Sequence, residues 1–183
     1  NIIYNFCIQN KINFNIFRIF NLYTGIDDKF SILGKIFYSQ NFKKKIIINN
    51  NGNSIRDFIQ IKDVVNIIST LLKKKTKNIV LDVGSGYGTK IKDILNYINF
   101  PEKLIEYKNN KEEIQTSIAN IKNLLLEVNM PKLYSIEKFL KREFKFKKTQ
   151  NKKLFRNKYK SIDINNNENE YIIYGAGNAG FQV

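Results

Sequence analysis

The 183 residues suffice for one domain and a short additional segment, and 31 Lys and Arg against 16 Asp and Glu give a formal net charge of +15. The chain has no His and one Cys, which excludes His-dependent metal sites, catalytic triads and an internal disulfide. The Lys residues are spread among Asn and Ile without an arginine-rich stripe interleaved with aromatics, so the charge predicts no nucleic-acid partner.

The sequence has no pattern typical of a membrane or secretory protein. No apolar run approaches the roughly 20 residues that a membrane span needs. Residues 1–14 show neither the basic nor the continuous apolar region of a signal peptide. The single Cys7 is typical of a reducing compartment, so the sequence predicts a cytoplasmic location and no membrane partner for this segment.

Alternating helix and strand patterns in the first half predict an α/β fold. Apolar spacing predicts helices over Ile2–Gln9, residues 30–38 and residues 62–74, and an apolar, β-branched and aromatic run predicts a buried strand over residues 14–20. That strand ends abruptly at Asn21, and a second β-type run after Gly52 carries Arg56. Because ligands of open α/β sheets bind at the carboxyl ends of strands, we expect Asn21 and Arg56 near one pocket.

A glycine-rich loop follows the next predicted strand, in the stretch VLDVGSGYG of residues 80–88. Taken alone, it fits the loop of an S-adenosylmethionine-dependent methyltransferase, whose glycines let the backbone approach the cofactor. That alternative requires several later strands and leaves residues 18–25 unexplained, so we favour a strand-to-helix turn. Further helices are predicted over residues 117–126 and from Ser135 through Leu140.

Four segments together carry a resemblance to a known family: RIFNLYTG (18–25), NGNSIRDFIQIKDVV (51–65), LDVGSGYGTKIKDILNYI (81–98) and SIANIKNLL (117–125). In this order they resemble the extended short-chain dehydrogenase/reductase family, the NAD-dependent nucleotide-sugar epimerases and dehydratases related to UDP-glucose 4-epimerase. There the first two read R-x-F-N-x-Y-G-P and G-D-G-x-x-R-D-F-I-x-V-x-D-V. The resemblance implies an α/β fold in which residues 1–145 form the C-terminal, substrate-binding part of an extended Rossmann-type domain.

The resemblance also implies NAD as cofactor, a nucleotide sugar as substrate and a role in surface-polysaccharide sugar biosynthesis. The implied contacts are Phe20 with the nicotinamide, Asn21 with the sugar or phosphates, Arg56 with the diphosphate, and Lys29 and Phe30 in the loop that covers the nucleotide. A guanidinium suits a diphosphate because its forked donors match paired anionic oxygens. From the residues alone, Asn21 can equally close a strand as a turn residue, and Arg56 can be a surface residue paired with Asp57 or Asp63.

The catalytic residues of the resembled family are a Tyr-x-x-x-Lys pair about 30 residues before the position of Arg18. Since the chain begins with Asn1 rather than Met, we expect a fragment without catalytic residues, whose complete protein is the enzyme and forms a homodimer, as the family commonly does. A non-catalytic nucleotide-sugar-binding module is the alternative. The family's second diphosphate-binding Arg would fall near Asn110, where this chain has no Arg.

The C-terminal residues differ in composition from the rest. Residues 146–169 are rich in Lys, Asn and Glu, which predicts a linker. Residues 170–183 read as a strand that runs into GAGNAG, in which Gly175, Gly177 and Gly180 satisfy G-x-G-x-x-G. This segment resembles the start of a second Rossmann domain, such as that of the capsular-polysaccharide type of nucleotide-sugar dehydratase, and implies that the three glycines bind a cofactor.

Overall fold

The computed structural model describes residues 2–25, 30–129, 133–149 and 173–175, with the backbone alone for residues 145–149 and 173–175. The helices are α1 (Ile2–Gln9), α2 (Ile32–Phe42), α3 (Ile61–Lys73), α4 (Ile91–Tyr97), α5 (Lys122–Glu127) and α6 (Ile136–Thr149). The strands are β1 (Asn15–Ile19), β2 (Asn21–Tyr23), β3 (Ile46–Asn49), β4 (Ile55–Gln60), β5 (Ile79–Val83), β6 (Gly88–Lys90), β7 (Ile105–Lys108), β8 (Thr116–Ser117) and β9 (Ile173–Gly175). The predicted α/β class is confirmed.

Three small sheets organise the described residues. The first is parallel, in the order β5-β1-β9. The second is built on β4, which pairs in parallel with β2 and β8 and antiparallel with β6. The third joins β3 and β7 in parallel. Because β2 follows β1 after the single residue Phe20, the second sheet begins at the carboxyl end of the first.

Two hydrophobic clusters hold these sheets between helices. One joins β1 and β5 to α3 and α5, and the other joins α2, α4, α6 and β3. In α3, the apolar residues Val64, Ile67 and Leu71 recur at helical spacing and are all buried, which explains why the predicted helix over residues 62–74 is confirmed. The predicted helices at Ile2–Gln9 and residues 30–38 are confirmed as α1 and α2, and the strand over residues 14–20 is confirmed as β1.

The predicted helix over residues 117–126 is wrong in its first half. Thr116 and Ser117 form β8, and α5 begins only at Lys122. The backbone N–H of Ala119 donates to the Asp57 carboxylate at 3.1 Å, and that of Asn120 donates to the Asp82 carboxylate at 3.3 Å. These distant acceptors fix residues 119 and 120 in a non-helical segment.

The C-terminal region is described at three residues. Ile173 and Tyr174 lie beside Phe17 and Arg18, and Gly175 lies beside Ile19, in parallel register with β1. Gly177, Gly180 and residues 150–169 of the predicted linker lie outside the described residues. The second Rossmann domain therefore stays a prediction. Helix α6 runs to Thr149, past the predicted domain boundary at residue 145.

Tyr23 of β2 connects α6 and the segment before it to the second sheet. Its hydroxyl donates to the carbonyl of Tyr134 at 3.2 Å, and its ring packs against Phe139 with centroids 4.7 Å apart. The backbone N–H of Tyr134 donates to the Asp63 carboxylate in the first turn of α3 at 3.0 Å. Burial and then the nearby Asp63 carboxylate raise the pKa of Tyr23 well above its ordinary value of 10.0.

Replacing Tyr23 with Phe is expected to lower the free energy of unfolding at neutral pH by about 1 kcal/mol, the net contribution of one hydrogen bond. A raised folded-state pKa gives stability that is complete below the unfolded pKa of 10.0 and is lost as the pH rises above it. Urea unfolding at pH 7 and at pH 10.5 should therefore show a smaller alkaline loss for Tyr23→Phe than for the parent chain. Tyr87→Phe, at a residue 76% exposed, is the control, and equal alkaline losses in all three proteins would refute the assignment.

Candidate ligand-binding site

The predicted substrate residues lie on neighbouring strands of the second sheet. Asn21 opens β2, with its backbone opposite Phe58 of β4, and its side-chain amide donates to the carbonyl of Asp57 at 3.0 Å. Arg56 precedes Asp57 on β4. The structure therefore places Asn21 and Arg56 on neighbouring strands, and the Asn21 side chain bridges these strands instead of closing one.

The carboxylate of Asp57 holds the glycine-rich loop beside these strands. It accepts hydrogen bonds from the N–H and hydroxyl of Ser85 at 2.8 and 2.6 Å, from the N–H of Gly86 at 2.9 Å and from the N–H of Ala119 at 3.1 Å. Asp57 itself is fully buried. One side chain of β4 thus fixes both the loop after β5 and the segment after β8.

The same loop shows why the methyltransferase alternative loses support. A Cβ at Gly84 would lie 2.6 Å from an Asp57 carboxylate oxygen, and a Cβ at Gly86 would lie 2.6 Å from Ile121. Gly86 also has a φ of +77°, which favours glycine. The space that a close-approaching cofactor would need is filled by side chains of this chain, so the glycines are explained by internal packing.

Arg56 is buried and makes an ion pair that neither sequence alternative anticipated. Arg56 is 8% exposed, so it is not a surface residue. Nη1 donates to the carbonyl of Ile55 at 2.9 Å, and Nη2 donates to the carboxylate of Glu113 at 3.0 Å. A guanidinium has five N–H donors, so these two bonds leave capacity for an anion.

The remaining predicted contacts are placed as follows. Phe20 is half-buried between β1 and β2, and its N–H donates to the carbonyl of Val83 at 3.0 Å, at the end of β5. Phe30 is 90% exposed just before α2. Lys29 lies outside the described residues. At the position where the resembled family has its second Arg, Asn110 exchanges two hydrogen bonds with Asn50, each of 2.9 Å.

Sequence reasoning missed the roles of Asp57 and Glu113. Asp57 was visible next to Arg56 in the RDFI pattern, but its four partners come from residues 85, 86 and 119. Glu113 lies in a polar stretch without periodicity, so no local signal could have linked it to Arg56, 57 positions away.

Comparison with known proteins agrees with the resemblance predicted from the sequence. Residues 1–84 match the model of the NAD dependent epimerase/dehydratase family. The resemblance of the chain to this family is thus confirmed over residues 1–84. A CDP-abequose synthase of Salmonella typhimurium is 31% identical over 73% of this chain and 50% of that protein. A dTDP-L-rhamnose 4-epimerase of Burkholderia thailandensis is 38% identical over 43% of this chain and 20% of that protein.

Solved structures with the same fold also come from this epimerase/dehydratase group. A dTDP-glucose 4,6-dehydratase from Bacillus anthracis, in complex with NAD, has a TM-score of 0.68 at 18% identity over 81% of this chain and 49% of that chain. A UDP-glucose 4-epimerase from Thermotoga maritima, with UDP-glucose, has a TM-score of 0.65 at 24% identity over 81% of this chain and 50% of that chain. At these identities the likeness shows the fold, and the predicted extended Rossmann-type architecture is confirmed. The chain spans half the length of the CDP-abequose synthase and a fifth of the rhamnose epimerase.

Within the described ranges, no three side chains of the Cys, Asp or Glu type are grouped so that they could hold a metal ion. None of the helices in that part of the chain combines the length and apolar character that crossing a membrane requires.

Proposed function

We propose that this chain supplies the nucleotide-sugar-binding part of an NAD-dependent epimerase or dehydratase in surface-polysaccharide sugar biosynthesis. The catalytic Tyr-x-x-x-Lys pair then lies outside residues 1–183, and the complete protein forms a homodimer. The observation that carries the proposal is the buried Arg56 of β4 next to the carbonyl that Asn21 binds. A buried guanidinium with spare N–H donors suits a diphosphate, because its forked donors match paired anionic oxygens.

The position of Phe20 supports NAD as the cofactor. Phe20 is half-buried where β1 ends beside β5, the place where dinucleotides bind in open α/β sheets. We assign Phe20 to the nicotinamide face of the site. NAD would accept a hydride from the sugar and return it. Phe20, Asn21 and Arg56 would orient cofactor and substrate, while Lys29 and Phe30 would cover the nucleotide.

Binding measurements on the protein as its gene encodes it test this function. The two curated relatives are named for CDP and dTDP sugars, and one structural neighbour contains UDP-glucose, so the panel comprises UDP, dTDP and CDP hexoses. Calorimetry should show saturable binding of at least one of them, with competition by its nucleoside diphosphate. S-adenosylmethionine serves as the alternative ligand. Saturable binding of S-adenosylmethionine with no binding of any nucleotide sugar would overturn the proposal and restore the methyltransferase.

A further inference from the structure

The ion pair between Arg56 and Glu113 places a negative charge where the proposed diphosphate would bind. The two side chains are 10% and 22% exposed, and Nη2 of Arg56 lies 3.0 Å from Oε1 of Glu113. The other carboxylate oxygen, Oε2, is buried and has no hydrogen-bond partner among the described residues. A pair this shielded from solvent is screened by salt much less than an exposed pair. Glu113 is thus an intramolecular counterion of the Arg56 guanidinium.

The loop that carries Glu113 is fixed on both sides of it. On one side, Asn110 exchanges two hydrogen bonds of 2.9 Å with Asn50. On the other side, the carbonyl of Gln115 accepts from the N–H of Ile55 at 2.8 Å. Lys111, Glu112 and Ile114 between these anchors are exposed. The side chain of Glu113 can therefore leave Arg56 by a rotamer change while the loop ends stay in place.

We propose that Glu113 competes with the substrate diphosphate for Arg56 and thereby lowers nucleotide-sugar affinity. The inference rests on the proposed function, in which Arg56 binds the diphosphate. An incoming diphosphate brings like charge to Glu113, so the carboxylate either stays and repels it or leaves and gives up its ion pair. Both routes subtract from the binding free energy. Glu113 therefore sets affinity and the ease of release.

Replacing Glu113 with Gln is the direct test, because Gln keeps the shape and one acceptor oxygen while removing the charge. In calorimetry on the protein as encoded, Glu113→Gln should bind the nucleotide sugar about fivefold more tightly, on the scale of a partly exposed charge contact. Glu112→Gln makes the same change of net charge at the exposed neighbouring residue and is the matched control. We expect it to alter affinity less than twofold.

Two further variants test whether the effect depends on the length of the Glu113 side chain and on Arg56. Glu113→Asp retains the charge on a side chain one methylene shorter, so it should tighten binding less than Glu113→Gln. In an Arg56→Ala background, Glu113→Gln should tighten binding clearly less than in the parent protein, because only direct repulsion of the diphosphate remains once the shared ion pair is gone. Equal tightening in the two backgrounds would show that Glu113 does not compete for Arg56 and would overturn the inference.

The possible outcomes distinguish a failure of this inference from a failure of the proposed function on which it rests. Equal tightening by Glu112→Gln and Glu113→Gln would assign the effect to net charge. Unchanged or weaker binding by Glu113→Gln would show that Glu113 positions Arg56 for the substrate. Either result overturns the competition. A parent protein that binds no nucleotide sugar instead overturns the proposed function itself, and the inference with it.

Discussion

Replacing Asp57 with Ala is expected to lower the free energy of unfolding by about 3 to 5 kcal/mol, because each buried donor left unsatisfied costs about 1 to 3 kcal/mol. The fully buried carboxylate accepts from three backbone N–H groups, those of Ser85, Gly86 and Ala119, and from the Ser85 hydroxyl. Water entering the vacated space recovers part of this loss. The segments around residues 85 and 119 should loosen together.

Urea unfolding and amide hydrogen exchange measure this effect. Exchange at Gly86 and Ala119 should accelerate in Asp57→Ala more than exchange in α3, because only the former amides lose their acceptor. Glu112→Ala, which removes an exposed carboxylate, is the control and should change stability by less than about 0.5 kcal/mol. A loss below about 1 kcal/mol for Asp57→Ala would contradict its role as the anchor of both segments.

Replacing Arg56 with Ala in the protein as encoded is expected to weaken nucleotide-sugar binding by about 1 to 3 kcal/mol, or about 5- to 150-fold. The variant removes the forked donor that we propose for the diphosphate. It also leaves the partly buried Glu113 carboxylate without its cation, so the same change should lower stability. Calorimetry with the best-binding nucleotide sugar, alongside urea unfolding, separates the two effects.

Two comparisons make the Arg56 result specific. Arg142→Ala removes an exposed guanidinium paired with Glu143 on α6 and should leave affinity unchanged. Arg56→Lys keeps the charge without the fork and should fall between the parent and Arg56→Ala. Unchanged affinity in a folded Arg56→Ala protein would assign the residue to its pair with Glu113 alone.

Local periodicity was sufficient to predict the elements whose apolar residues face a core. Val64, Ile67 and Leu71 mark α3 because a helix that packs one face against a sheet must repeat apolar residues at its own period. The strand β1 was equally visible, since its apolar run ends where the chain passes through Phe20 into the second sheet.

Elements fixed by distant partners could not be predicted in this way. Residues 118–121 have the apolar spacing of a helix, but the Asp57 and Asp82 carboxylates hold the N–H groups of Ala119 and Asn120 in another conformation. A sequence pattern reports propensity along the chain, and it does not report an acceptor that lies 62 residues away.

In the candidate site, the proximity of two strands was predicted, but the ion-pair partner of Arg56 was not. The order of the RIFN and RDFI segments placed Asn21 and Arg56 near each other, and the structure joins their strands. The alternative interpretation paired Arg56 with Asp57 or Asp63, whereas Asp57 faces the glycine loop and Asp63 accepts from the N–H of Tyr134. Alternation of side chains along β4 separates Arg56 from its acidic neighbour, so sequence adjacency was misleading.

Turnover is the most direct test of the central claim, that this chain is part of an NAD-dependent nucleotide-sugar enzyme. The protein as its gene encodes it would be incubated with NAD and each nucleotide sugar of the panel, and products would be followed by mass spectrometry and NMR. Our account predicts that one nucleotide sugar is converted into an epimer or a dehydrated product and that conversion requires NAD. Binding without any conversion would contradict it and leave a non-catalytic nucleotide-sugar-binding module.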